Sequence, residues 1–553
     1  MLVNANAVIN YNRCRRFAAL NDPFTALYLN KEMSQENAVF RDILLSHLYS
    51  PQKEIRKNIN LTYEFEHEIT LSENYDFLVD DDILYCLTPY TSTDFIELKF
   101  KDGQDKVAVF QPNQSGVFEP VIPKITNKNL EEKLDKLYST YESLGRIVFS
   151  YALKYFILKK VYPQKNYRLY FVFLNSEYMY DGISYSEKLY HLFDFSKLDK
   201  IDEIVEIALF RMINHLELND FTPCILEKKA CSKGKPNACK FIDFCYSHLP
   251  ENTSILDYFN SHLGFNETTE EGNIHHDTYD LLNEGYVSMQ DLPIFWLKDQ
   301  NNLMQRYCCD NSSLFFHAKK LDLGLNQMKY PLYYLDFEAN PQAIPKYRGE
   351  SPYSQSVFQY SIHIQSHPNH EFQIDENHFE FLANPLKDER KLLLENLIRI
   401  LNQSDSSIVV YNKTFEKTRL EELKLVFPEF QKDINKIINR LFDLLDIIKT
   451  NKTLYQRIGY DGADLEVYNL YHPDLGGSYS LKQVIKLFKK DAYENLLIND
   501  GVKAYKAFQS LSELTKVEAD EKRKNLLLYC RQDTYSMYQI VQGLKALIGK
   551  ESK

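Results

Sequence analysis

Asp336 and Glu338 stand two residues apart inside the apolar run "MKYPLYYLDFEANP" (328–341). Side chains alternate across a strand, so both carboxylates face one side while Leu335 and Phe337 face the other. Like charges at this spacing raise each other's pKa and add to the cost of desolvation. A hard divalent cation, Mg²⁺ or Mn²⁺, removes that penalty by binding carboxylate oxygens. Two later segments supply further candidates. "SIVVYNKTFEKTRLEEL" runs an apolar strand into Asn412, with Phe415 and Glu416 opening a helix. "LLLYCRQDTYSM" places Tyr529 and Asp533 four apart, hence on one helical face. Each segment alone also suits a solvated strand end, a capped helix or an exposed helical acid. Their order along the chain gives them weight together.

That order resembles the DEDD exonuclease superfamily of RNase H-like fold. Its pattern is Asp-x-Glu on the first strand, an Asn with Phe-Asp a few residues on, and Tyr-x-x-x-Asp near the end. The resemblance implies that Asp336, Glu338, Glu416 and Asp533 hold two divalent ions about 4 Å apart. It also implies that Tyr529 orients or deprotonates the attacking water. Glu416 departs from the pattern, which usually has Asp there, so Asp443 in "RLFDLLDII" is the reserve for the third acid. "GGSYSLKQV" (476–484) resembles the segment preceding a helix in this family, and Lys482 in it is a candidate phosphate contact.

The first half of the chain carries a second constellation. "YDFLVDDDILYCLTPYTSTDFIELKF" offers Asp76 on one expected strand and Glu97 with Lys99 on the next. Asp followed by Glu-x-Lys on a hairpin resembles the PD-(D/E)XK nucleases. In those, Asp and Glu hold the metal and Lys activates water and stabilises charge. Four cysteines crowd "CILEKKACSKGKPNACKFIDFC", at 224, 231, 239 and 245, and Cys14 lies near the start. In a reducing compartment such a cluster reads as a metal or cofactor site before it reads as disulfides. The set resembles the RecB-like nucleases of the AddB type. That resemblance implies a 4Fe–4S cluster on Cys14, Cys231, Cys239 and Cys245, with Cys224 spare and a Zn²⁺ site as the alternative. Lys154 stands where those relatives usually show Gln.

The elements that must position these residues form two α/β patterns. At 553 residues the chain is long enough for two or more domains. Strands are expected at "LTYEFEHEITL", "YDFLVDDDILYCL" and "DFIELKF", followed by amphipathic helices and the buried strand "YRLYFVFLN". From 329 onward, strands at "YPLYYLDFEA", "VFQYSIHIQ", "HFEFLA" and "SIVVYN" alternate with helices that end in a long one over 519–548. The expected domains are 1–250 (PD-(D/E)XK restriction-endonuclease-like, with the cysteines), 251–327 (a mixed connector) and 328–553 (RNase H-like). A net charge of −12 argues against a uniformly basic nucleic-acid coat but not against a local basic groove. The N-terminus lacks a secretory layout and no long uncharged apolar run appears, so a cytoplasmic protein without membrane partners is expected. Nearly the whole chain, roughly 8–250 and 325–548, resembles an uncharacterised bacterial family that joins these two halves. The expected activity is a metal-dependent 3′→5′ exonuclease acting on DNA in preference to RNA, in repair or defence. The alternatives are a degenerate nucleic-acid-binding protein and a zinc-stabilised interaction protein.

Overall fold

The computed structural model describes residues 1–20, 34–66, 68–121, 128–218, 231 and 238–551. Cys224 lies outside them. The chain is mixed α/β and divides into two compact units. Unit 1 comprises residues 1–247 with 342–354, and unit 2 comprises 248–341 with 355–553.

Unit 1 is built on an eight-stranded mixed sheet. Its strands are β1 (Leu2–Val3), β2 (Ile55–Phe65), β3 (Ile69–Val79), β4 (Ile83–Thr91), β5 (Phe110–Pro112), β6 (Val117–Pro120), β7 (Arg168–Leu174) and β8 (Tyr190–Phe193). The order is β1-β3-β4-β7-β8-β6-β5, with β2 also paired to β3. Asp80 and Asp81 both take positive φ between β3 and β4, as a tight hairpin between right-twisted strands requires. At the end of β3, alternation sends Leu78 into one core and Phe77 and Val79 into another. The first core is closed by α1 (Ala5–Arg13), α3 (Ser143–Val161) and α4 (Glu203–Leu218), the second by α2 (Ser34–Leu48).

One sequence expectation fails here. "DFIELKF" does not form one strand: Thr93–Ile96 is a helical turn, Glu97 caps it, and Lys99 opens a separate small hairpin (99–102 with 105–108). The cause is Phe95, fully buried against Phe110, Phe173, Phe193 and Phe195. Burying that ring is worth about 2–3 kcal/mol, enough to override the weak local preference for an extended chain.

Unit 2 holds a five-stranded sheet of β9 (Leu332–Pro341), β10 (Gln355–Gln365), β11 (His378–Leu382), β12 (Ile408–Val410) and β13 (Leu441–Asp443). The spatial order is β11-β10-β9-β12-β13. The pairs β11–β10 and β10–β9 are antiparallel, whereas β9–β12 and β12–β13 are parallel. β9 is therefore central and apolar on both faces, as its sequence requires. Tyr333, Leu335 and Phe337 pack on the helices 390–401, α5 (Thr414–Val426) and 431–440. Leu332 and Tyr334 pack on the opposite side, against α7 (Lys516–Glu551). α6 (Gly501–Ser510) precedes α7 and also contacts β9. Residues 251–327, expected as a connector, differ from that reading. They fall in unit 2, and Met304, Cys308, Leu321 and Leu325 join its core.

Candidate metal centre

Because side chains alternate, Asp336 and Glu338 share the α7 face of β9 with Leu332 and Tyr334. A register shift follows Glu338, where Ala339 pairs with Val357 rather than Phe358. Such bulges re-aim side chains and often sit beside functional sites. α7 is tied across the sheet by two buried hydrogen bonds. Gln359 Nε2 donates to the Leu526 carbonyl at 2.9 Å, and the Ser361 and Thr534 hydroxyls meet at 2.8 Å. This fixes the face of α7 on which Tyr529, Cys530 and Asp533 fall.

The result is that one carboxylate oxygen from each of Asp336, Glu338 and Asp533 lies within 4.8 Å of the others. It is the one group of three or more potential metal ligands this close among the described residues. Glu416, on the first turn of α5, is 2% exposed, and its Oε2 has no hydrogen-bond partner. Burial first, and the neighbouring Asp336 second, push its carboxyl well above the usual range. Asp336 is raised by burial and then by Asp533, and Glu338 by burial and then by Asp336. Asp533 is pushed up to about 6 by burial. Three hard oxygen donors this close suit a divalent cation, whereas Glu416, with its orphaned oxygen, lies outside that 4.8 Å group.

The reserve acid, Asp443, is committed elsewhere. Its two oxygens accept from the backbone N–H groups of Asn412 (3.0 Å), Lys413 (2.9 Å) and Leu445 (3.0 Å). It thereby pins the turn from β12 into α5, where Asn412 sits at φ +64°, a conformation Asn tolerates.

Around the acids lie three groups that donate. Cys530 Sγ donates to Asp336 Oδ2 at 3.4 Å. The Tyr493 hydroxyl donates to Asp533 Oδ1, and the Tyr529 phenol stands close enough to that carboxylate to feel its charge. Burial, and then Asp533, raise the Tyr529 phenol above its ordinary value. Lys482 Nζ donates to the Tyr529 hydroxyl at 2.9 Å. Its segment reaches this place through Gly476 and Gly477, both at positive φ, and a Cβ on Gly477 would lie 2.8 Å from the Asp257 carbonyl. Tyr493 and Cys530 went unnoticed in the sequence, since neither belongs to a spaced pattern.

Unit 1 places its candidates differently. Asp76 accepts from Arg41 Nε at 2.6 Å and from the Leu87 backbone N–H at 2.8 Å. Glu97 and Lys99 are exposed. Sequence reading missed Glu73, which is buried, takes Lys154 Nζ at 2.6 Å and accepts the Ala5 N–H at 2.7 Å. Burial acts to lower Lys154, but the charge and hydrogen bond of Glu73, with Cys86 and Asp76, together raise it above its ordinary value.

The cysteines do approach one another from opposite ends of unit 1. Cys14 follows α1, Cys245 ends the short helix Ile242–Cys245, and the Cys239 N–H donates to the Cys231 carbonyl at 2.9 Å. Phe17 meets Phe241 edge-on at 5.3 Å, and the Arg16 guanidinium lies 5.0 Å from the Phe244 ring. The thiol of Cys245 is raised by burial, with Cys231, Cys239 and Cys14 adding to the effect.

Residues 333–480 match a family model described as a domain of unknown function (DUF2779). That span holds Asp336, Glu338 and Glu416 and stops short of Lys482, Tyr529 and Asp533. The chain is 29% identical over 255 residues to the uncharacterised protein MG366 of Mycoplasma genitalium, covering 41% of this chain and 33% of that protein. It is 25% identical over 261 residues to the uncharacterised protein UU173 of Ureaplasma parvum, covering 43% and 34%. The similarity thus spans about a third of the length of these curated relatives. No solved structure matches.

Proposed function

We propose that unit 2 is a metal-dependent nuclease of RNase H-like fold, working as a 3′→5′ exonuclease with DNA as its substrate, in repair or defence. The observation that carries this reading is the meeting of Asp336, Glu338 and Asp533 within 4.8 Å of one another. The sheet order, three antiparallel strands continued by two parallel ones from the central β9, supports the same fold. Asp336, Glu338, Glu416 and Asp533 would hold Mg²⁺ or Mn²⁺, which when bound supplies an activated water and offsets charge on the leaving oxygen. Burial and the neighbouring acids raise the Tyr529 phenol, which stays protonated at neutral pH. It therefore orients the attacking water by hydrogen bonding rather than by taking its proton. Asp336 is further steadied by the Cys530 thiol.

Unit 1 is read as a nucleic-acid-gripping module stapled by a 4Fe–4S cluster on Cys14, Cys231, Cys239 and Cys245. The approach of these thiols from positions more than 200 residues apart supports the cluster, because soft thiolates are the donors it takes. The pairing of Asp76 with Arg41 favours gripping over cutting in this unit.

The test is an anaerobic assay on 5′- and 3′-labelled single and double strands, DNA and RNA, with Mg²⁺ or Mn²⁺. Metal-dependent loss of 3′ label from DNA, abolished by Asp336→Ala, is expected. Binding without cleavage in either metal would leave a degenerate nucleic-acid-binding protein. Zinc in place of iron in the anaerobic protein, with no nucleic-acid binding, would leave an interaction module.

A further inference from the structure

The carboxylates of Asp336, Glu338 and Asp533 converge within 4.8 Å and create a strongly negative site, and the Lys482 ammonium lies beside it. Lys482 Nζ donates to the Tyr529 hydroxyl at 2.9 Å and to the Asn499 carbonyl. The ammonium lies 4.6 Å from the centre of the Tyr529 ring and 5.6 Å from that of Tyr493. The Tyr493 hydroxyl donates to Asp533, so the charge is lodged between the phenol that fixes this acid and the Tyr529 ring. Among the described residues, none of these acids, nor Glu416, forms a salt bridge with Lys or Arg. Lys482 stands beside them on Tyr529 without contacting them as a salt bridge.

We propose that Lys482 is the resident counter-cation of this site, an ammonium that competes with divalent metal for the acid cluster while anchoring the hydroxyl of Tyr529. The inference rests on reading the acid cluster as a divalent-metal site. It goes beyond that reading in giving one non-ligand side chain two opposed effects. The Lys482 ammonium, hydrogen-bonded to Tyr529 beside the cluster, offsets part of its negative charge. A metal ion entering the cluster meets that same positive charge, so the ammonium weakens metal binding. The hydrogen bond, in contrast, serves the reaction by holding Tyr529 where it can orient water. Removing Lys482 should therefore tighten metal binding and slow cleavage. A purely structural residue would impair both.

The experiment is a calorimetric Mn²⁺ titration of the full chain at pH 8, comparing wild type with Lys482→Met and Lys482→Arg. Circular dichroism confirms folding, and Lys482→Gln replaces the Met variant should that one not fold. Lys482→Met should bind Mn²⁺ about tenfold tighter, the order expected from losing one unit charge in a partly solvated site. Lys482→Arg, which keeps the charge, should stay near wild type. Unchanged or weaker Mn²⁺ binding by folded Lys482→Met overturns the proposal while leaving the metal site intact. So does equal tightening in Lys482→Arg. A wild-type chain without saturable Mn²⁺ binding removes the metal-site reading and this inference together. The Mn²⁺ affinity decides the inference whether or not the chain cleaves nucleic acid.

Discussion

The two units treat their buried acids in opposite ways. In unit 1, Glu73 is neutralised by Lys154, and Asp76 by Arg41 and a backbone N–H. In unit 2, Asp336, Glu338, Glu416 and Asp533 face one another without a salt-bridge partner among the described residues, and one oxygen of Glu416 has no hydrogen bond. A paired buried acid is complete in itself, and removing its partner strands a charge. An unpaired cluster is incomplete and costs stability until a cation arrives. The contrast separates a structural acid from a ligand-seeking one more sharply than any motif.

The largest effect expected from this contrast is on cleavage. Asp336→Asn or Asp533→Asn should lower metal-dependent 3′ cleavage by on the order of 10⁴-fold, as loss of one member of a catalytic unit does. Glu97→Gln should leave the rate within about twofold, the range of a mutation outside the site. Loss of activity in Glu97→Gln with retention in Asp336→Asn would invert the assignment of the two units.

The next effect is on stability in unit 1. Lys154→Met leaves Glu73 buried without its cation and should cost about 3–5 kcal/mol, read by chemical denaturation. A near-neutral result would mean that Glu73 finds another partner.

Metal should stabilise unit 2 in a pH-dependent way. The carboxyls of Asp336, Glu338, Glu416 and Asp533 lie above their unfolded values. Their destabilisation is absent below the unfolded values, near pH 4, and grows as pH rises toward the folded ones. Protons and metal compete for the same oxygens, so the gain on adding Mn²⁺ should be larger at pH 8 than at pH 5. With metal at 100 times its Kd the gain is about 2.7 kcal/mol. Thermal scans with and without Mn²⁺ at both pH values measure it, and a gain that shrinks with rising pH would contradict the shared site.

The smallest effect has the opposite sign to the unit 1 substitution. Glu416→Gln removes a buried charge and should raise metal-free stability at pH 8 by about 1 kcal/mol while weakening Mn²⁺ binding. Destabilisation of the metal-free chain would show that Glu416 has a structural partner after all.

Much of the unit 2 site was legible in the sequence because its spacing follows local geometry. Asp-x-Glu reports one strand face and Tyr-x-x-x-Asp one helix face, and both hold however the elements later pack. The choice between Glu416 and Asp443 was not legible. It turns on three backbone N–H groups that claim Asp443, two of them about 30 residues away along the chain. "DFIELKF" was misread for a related reason: alternation suggested a strand, but the demand of Phe95 for four distant rings bent the chain.

By itself, then, the sequence determined the mixed α/β character and which acids share a face, since both follow from periods of two and 3.6 residues. Only the tertiary structure decided that Lys154 neutralises Glu73, that Lys482 reaches Tyr529, and that Cys14 approaches Cys239 and Cys245. These pairings join residues tens to hundreds of positions apart. No local periodicity encodes them, because they depend on how whole elements bury their apolar faces against one another.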